Sequence, residues 1–269
     1  RGLGRSGRVM KTILSDSSML EYGLMKPYSN MFCFSTTRHG GCSEGTYGSF
    51  NCTHYCGDNL ERVSANRRLL CSLLPEEPKV LVIPRQTHGV EVREIFSYEV
   101  SESELDDVDA LMTDLKGCCL CVSTADCIPV LLYDVRHQAV AAVHAGWRGT
   151  VAGITGKVLE AMEARYGTRG RDVVACIGPG ISLESFEVGD EVYEAFAMAG
   201  FDMQRIARRY AKWHIDLWEA NRLQLLAKGV LPEHIEVAGI CTYQEHEHFF
   251  SARRLGIRSG RILSGIVRY

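Results

Sequence analysis

The chain predicts a single α/β domain with mixed β-sheets, and three observations carry that expectation. Short apolar runs rich in Val, Ile and Cys recur along the whole length and are interleaved with four longer helical patterns. No internal repeat or low-complexity linker divides the 269 residues, and a hydrophobic content of 46% is ample for one large core. Strands and helices alternate without a regular βαβ rhythm, and no G-x-G-x-x-G follows a strand, so a Rossmann arrangement is not expected.

In chain order, the first strand expected is Met31–Thr36, followed by a helix over Leu60–Leu74. Strands over Val80–Ile83, Val90–Phe96, Cys118–Ser123, Pro129–Tyr133 and Ala139–His144 come next. Cys118, Cys119 and Cys121 sit in the unbroken apolar run GCCLCVS, where cysteine acts as a small buried hydrophobe; Cys33 and Cys176 read the same way. A helix over Thr150–Arg165 contains Gly153 and Gly156, which weaken an isolated helix and point to close packing on a sheet. A strand at Val173–Ile177 and a helix at Asp190–Ala199 follow, then a helix over Ile215–Lys228. This last helix has Asp216 near its start and Gly229 just past its end, as cap preferences require. Strands at Ile235–Gly239 and Ile262–Val267 complete the reading.

Composition narrows the function. A net charge of −3 gives no electrostatic reason to expect nucleic acid or an anionic membrane as partner. No apolar run reaches the roughly 20 residues that span a bilayer. The start, RGLGRSGRVM, lacks the apolar core of a secretion signal, so a cytoplasmic protein is expected. Residues 1–9 read as a remnant ahead of a natural start near Met10, leaving 10–269 as one catalytic domain. Eleven cysteines in such a chain are expected to be reduced thiols and not a disulfide frame.

Three segments carry chemistry: PRQTHGV at 84–90, TADCIPV at 124–130 and VHAGWRG at 143–149. Each adjoins an apolar run, so Cys127 and His144 are expected at the ends of neighbouring strands, where α/β enzymes gather their functional groups, with His88 following the strand-like KVLVI. Two imidazoles and one thiolate form a ligand set that suits zinc, with copper as the alternative. Three protein ligands leave a fourth position open, the pattern of a catalytic zinc. Gly146 and Gly149 permit backbone approach that a Cβ blocks. By contrast Cys42, Cys52 and Cys56, near His39 and His54, fit no zinc spacing. The run Glu245-His246-Glu247-His248 reads as a solvated loop, and His214 and Asp216 as packing and capping groups.

The stretches TTRHGGCSEGTYGSFN, NRR, PRQTHG, TADCIPVLL, HAGWRGT, GPGISLESFEVGDEV, CTY and FFSARR stand in the order seen in the laccase-domain family. The chain resembles this family from about Phe32 to Tyr269. Its bacterial, YfiH-like members were once called polyphenol oxidoreductases and are now associated with purine nucleoside phosphorylase activity. The resemblance implies an α-β-β-α layered sandwich and the same ligand trio of His88, Cys127 and His144. It also implies phosphorolysis of adenosine, inosine and methylthioadenosine, with deamination of adenosine beside it. The chain departs from the family pattern at Ser185, Phe186 and Ala252.

Such chemistry needs cations for phosphate, and Arg38, Arg67 and Arg148 are the candidates because guanidinium meets phosphate oxygens bidentately. Arg67 falls where the resemblance places a substrate-contacting arginine. Asn51 is a candidate ribose or base contact, and Trp147 a pocket wall. Asp126, next to the ligand cysteine, is a candidate proton shuttle or a partner that orients a ligand histidine. Three other readings compete. In one, Cys127 is a nucleophile activated by His144 or His88, in a hydrolase acting on peptidoglycan precursors. The others are a copper-dependent phenol oxidase and a binding protein without catalysis.

Overall fold

The computed structural model describes residues 17–269, so the expected remnant at 1–9 lies outside the described residues. The strand β6 (Cys118–Thr124) shows how the sequence builds the layers. Its side chains alternate: Cys118, Leu120 and Val122 enter one core, while Cys119 and Cys121 enter another. A strand buried on both faces has no polar positions to spare, which is why GCCLCVS reads as an unbroken apolar run.

Around β6 a five-stranded sheet forms from β1 (Met19–Glu21), β2 (Met31–Thr36), β14 (Ile262–Arg268), β6 and β3 (Val80–Val82), in that spatial order. A six-stranded sheet has the order β13 (Ile235–Val237), β9 (Val173–Ile177), β7 (Ile128–Asp134), β8 (Ala139–Ala145), β5 (Ala110–Thr113) and β4 (Val92–Glu94). Both sheets mix parallel and antiparallel pairs. A small third sheet joins β10 (Glu187–Val188), β12 (Trp213–Ile215) and β11 (Ala207–Arg209).

Leu120, Val122 and Ile266 of the first sheet meet Leu131, Tyr133, Val140 and Ala142 of the second in a central core. The outer face of the five-stranded sheet is covered by α1 (Leu60–Leu73), with Leu70 and Leu74 against Phe34 and Cys121. On the outer face of the six-stranded sheet lie α3 (Ile154–Tyr166) and α6 (Leu217–Ala227), through Val158, Met162, Ala220 and Leu225. The result is the α-β-β-α sandwich. The shorter helices are α2 (Trp147–Val151), α4 (Asp190–Met198), α5 (Met203–Ile206) and α7 (Ala252–Leu255). Among the described residues no helix is long and apolar enough to cross a membrane.

Several expectations need correction. The helix expected over Thr150–Arg165 is two helices, α2 and α3, separated where Gly153 takes a left-handed φ of 80°. A Cβ on Gly156 would stand 3.4 Å from Lys228 Cε, an ordinary contact, and within 4 Å of no sheet atom, so this glycine is not packed on the sheet. The strand expected at Val90–Phe96 contracts to β4. Five strands were not expected from sequence: β1, β5, β10, β11 and β12 are two to four residues long, too short for alternation to register. The Glu245–His248 loop is not simply solvated: His248 Nδ1 lies 2.9 Å from His39 Nε2, and the His246 carbonyl accepts from Arg38 at 2.7 Å.

Candidate metal centre

Register brings two of the three segments together. The antiparallel pairing of β7 with β8 sets Ile128 opposite Ala145 and Pro129 opposite His144. Cys127, one residue before β7, therefore lands beside the end of β8. His88 arrives from the loop between β3 and β4. The ligand atoms of His88, Cys127 and His144 all lie within 4.8 Å of one another, the one such group of three or more among the described residues. His144 is buried, Cys127 half-buried and His88 exposed, so the group is open on one side. Gly146 sits against all of it: a Cβ there would stand 3.0 Å from His88 Cδ2 and 3.2 Å from Cys127 Sγ.

Beneath the group lies Asp109, fully buried and one residue ahead of β5. His144 Nδ1–H donates to its Oδ2 at 2.7 Å, which leaves Nε2 of the ring free to face outward. Thr87, His88 and Gly89 donate their backbone N–H groups to the same carboxylate at 3.1, 2.9 and 3.1 Å. Burial alone raises the Asp109 carboxyl, but the hydrogen bond and charge of His144 and these donors hold it below the ordinary carboxylate value. Burial likewise pushes the Cys127 thiol up, yet the charge and hydrogen bonding of His144, and then of His88, outweigh it and bring it down to about 6. His144 answers in the opposite sense: desolvation lowers it, while Cys127 and Asp109 raise it to about 9. The folded protein thus favours a thiolate facing an imidazolium, and a thiolate is the form that binds a metal or attacks an electrophile.

A cavity of about 340 Å³ opens beside Cys127. Trp147, Ile181, Phe186, Leu217 and Ile257 make its walls apolar, while Asp126 and Arg253 supply its polar atoms. The Arg253 guanidinium donates to the Glu187 carbonyl at 2.9 Å and stacks 5.0 Å from the Phe186 ring centre.

The other candidates are distributed differently. Asp126 lines the cavity but orients no histidine; that place belongs to Asp109. Its Oδ1 accepts from Thr242 and Ser251 at 2.8 and 2.7 Å, and its Oδ2 from the Arg253 backbone at 2.8 Å. Asp126 therefore pins the α7 segment to the ligand turn, and burial raises its carboxyl despite these donors. Arg38 donates to the Gly48 and His246 carbonyls and lies over the Phe250 ring. Asn51 is buried and saturated, donating to Thr53 and Asp58 and accepting from Arg261. Both hold loops, and neither lines the cavity. Arg67 donates to the Cys52 carbonyl at 2.8 Å and lies 2.7 Å from His54 Nδ1. Thr53, next in the chain to Cys52, bonds through its hydroxyl to that of Ser123 near the end of β6 at 2.7 Å, and Arg67 does not line the cavity. Arg148 is exposed and stacks 4.4 Å from the Trp147 ring centre, at the cavity wall.

Sequence reasoning missed Asp109 and Arg253. Asp109 stands in the acidic run DDVDAL, where nothing in the spacing separates it from Asp106 and Asp107. Arg253 stands in FFSARR, where nothing in the sequence marks the first arginine as the one that reaches the cavity.

The profile described as "Multi-copper polyphenol oxidoreductase laccase" matches residues 32–269. The chain is 57% identical to a purine nucleoside phosphorylase of Bacteroides thetaiotaomicron, over 96% of this chain and 99% of that protein. It is 42% identical to an adenosine deaminase of an unknown prokaryotic organism, over 90% and 96% of the two chains. Among solved structures, the YfiH hypothetical protein of Bacillus licheniformis superposes with a TM-score of 0.88 at 28% identity, covering 95% of this chain and 98% of that one. With a matching profile that runs from the second strand to the last residue, the chain belongs to the laccase-domain, YfiH-like family.

Proposed function

We propose that the chain is a zinc-dependent purine nucleoside phosphorylase, converting adenosine, inosine or methylthioadenosine and phosphate to free base and ribose 1-phosphate, with adenosine deamination as a second activity. The observation that carries this reading is the approach of one thiolate and two imidazoles beside an apolar-walled cavity, in a chain whose relatives bear those activities as names. His88, Cys127 and His144 would hold the metal, and their donor set fits zinc. Copper fits three such donors as well, but the described residues offer one group of this kind, not the several that a multi-copper oxidase needs. When bound, zinc supplies a Lewis acid beside the cavity.

The chain's own residues do the remainder. The faces of Trp147 and Phe186 give a planar purine apolar surfaces to lie against and exclude water. Arg253 at the cavity, Arg148 beside Trp147 and Arg67 behind the ligand turn supply the positive charge that phosphate requires. Asp126, at the cavity wall and pinned there by Thr242, Ser251 and the Arg253 N–H, is the group placed to relay a proton to the departing purine.

The test is turnover of adenosine with phosphate, followed as ribose 1-phosphate, in metal-replete and chelated protein. Chelation should abolish turnover and zinc should restore it. His88→Ala, Cys127→Ala and His144→Ala should each lose stoichiometric metal and both activities. A metal-replete protein that forms no ribose 1-phosphate would overturn the reading.

One observation favours a second reading. Cys127 at about 6, His144 at about 9 and the Asp109 carboxylate behind His144 form a cysteine–histidine–aspartate series suited to nucleophilic attack. A hydrolase of peptidoglycan precursors built on it would keep its activity after chelation and trap an acyl group on Cys127.

A further inference from the structure

We propose that Asp109 is the positioning residue of the centre, setting through one carboxylate both the metal-facing nitrogen of His144 and the turn that presents His88. This inference rests on the metal reading above. The carboxylate has two oxygens and each is doubly used. Oδ1 accepts the N–H groups of Thr87 and Gly89, both at 3.1 Å. Oδ2 accepts the N–H of His88 at 2.9 Å and the ring Nδ1–H of His144 at 2.7 Å. The main chain adds a fifth link, His144 N–H to the Asp109 carbonyl at 2.8 Å. Every acceptor position is spent on the two histidine arms, and no water reaches the group, which is wholly buried.

The two arms need this group for different reasons. A neutral His144 can carry its ring proton on either nitrogen until something chooses between them, and a carboxylate at Nδ1 fixes the proton there and leaves Nε2 for the metal. His88 has a φ of 64°, a left-handed conformation that a histidine adopts at a cost of roughly 1–2 kcal/mol. Three successive N–H groups converging on one anion offset that cost and lock the turn. The arms are thereby coupled: neither histidine can be placed independently of the other.

Asparagine at position 109 exposes the coupling, because its amide replaces one acceptor oxygen with a donor. If the nitrogen takes the Oδ1 place, it confronts the N–H groups of Thr87 and Gly89, and the His88 turn opens. If it takes the Oδ2 place, it confronts the His88 N–H and the His144 ring. His144 must then carry its proton on Nε2, the nitrogen the metal needs. In either orientation one arm is lost.

The experiment compares wild type and Asp109→Asn by zinc competition against a chromophoric chelator. Ring ¹⁵N spectra of the zinc-loaded wild type are recorded beside it. Asp109→Asn should bind zinc about 10–100-fold more weakly, the effect typical of losing the hydrogen-bond partner of a metal ligand. The wild-type spectrum should place the His144 proton on Nδ1, coupled to a metal-bound Nε2. Zinc affinity within twofold of wild type, or a His144 proton on Nε2 in the wild type, overturns the inference and leaves the metal reading standing. Absence of zinc binding by the wild type overturns both. Should Asp109→Asn not fold, the wild-type spectrum decides alone.

Discussion

Replacing Gly146 with alanine adds one methyl group where the three candidate ligands meet. The backbone there, φ −74° and ψ 178°, suits any residue, so space alone sets the cost. The new Cβ would stand 3.0 Å from His88 Cδ2, 3.2 Å from Cys127 Sγ and 3.9 Å from His144 Cε1. Carbon atoms rest comfortably at about 3.5–4.0 Å, so the His88 ring must retreat by roughly half an ångström. Metal–ligand distances tolerate only about 0.2 Å. Overpacking of this size costs about 1–3 kcal/mol in a rigid core. His88, exposed on a turn, can escape much of that by swinging outward, but the movement takes it off the metal. The penalty should therefore fall on binding: at about 1.4 kcal/mol per decade, zinc affinity drops tenfold or more. The melting temperature of the metal-free protein should fall by no more than about 4 °C. Chelator competition and thermal unfolding measure the two quantities. A Gly146→Ala protein that binds zinc within twofold of wild type would refute the claim that the three side chains converge in front of this glycine.

In metal-free protein, iodoacetamide should label Cys127 at half its limiting rate near pH 6, where an unperturbed thiol requires about 9. The depressed thiol contributes stability that is present above 9.0 and lost as pH falls through about 6. The raised imidazole contributes stability that is present below 6.5 and lost as pH rises through about 9. Between about 6.5 and 9, folded and unfolded chains hold the same one proton on this pair, so its contribution to the unfolding free energy should stay level, and Cys127, already largely thiolate, should react near its limiting rate. Asp126→Ala removes the acceptor shared by Thr242, Ser251 and the Arg253 N–H, and puts alanine at a φ of 100°. Denaturant unfolding should show a loss of about 2–4 kcal/mol, and a loss under 1 kcal/mol would deny Asp126 its anchoring role. Arg67→Ala should raise the KM for phosphate or nucleoside more than tenfold at unchanged zinc content; an unchanged KM would remove Arg67 from the substrate path.

Much of the sandwich was legible because its inner strands are buried on both faces. β6, β7, β8, β9 and β14 announce themselves as runs of Val, Ile, Leu, Ala and Cys, and their ends match expectation to within a residue or two. The short strands β10 to β12 did not, since a segment of two or three residues owes its conformation to its neighbours and not to its own pattern. The break between α2 and α3 is half visible: Gly153 and Gly156 stand out in the helical pattern, but a left-handed Gly153 reads in sequence like a glycine packed on a sheet. At the site, His88, Cys127 and His144 were readable because two imidazoles and a thiol, each in a segment adjoining an apolar run, form a chemically matched ligand set. Asp109 was not, because a carboxylate earns its role by being buried under two histidines, and burial is a property of the fold. Asn51 and Arg38 show the converse: polar groups that look poised for a ligand are used up by backbone carbonyls and loop turns.

The central claim is that one sulfur and two imidazole nitrogens of this chain hold a single zinc. X-ray absorption at the zinc edge of the purified protein, with its metal content, tests it most directly. The expected result is one zinc per chain, with one sulfur at about 2.3 Å and two nitrogens at about 2.0–2.1 Å, the sulfur vanishing in Cys127→Ser. Zinc coordinated without sulfur, or a protein that retains no stoichiometric metal, would contradict it.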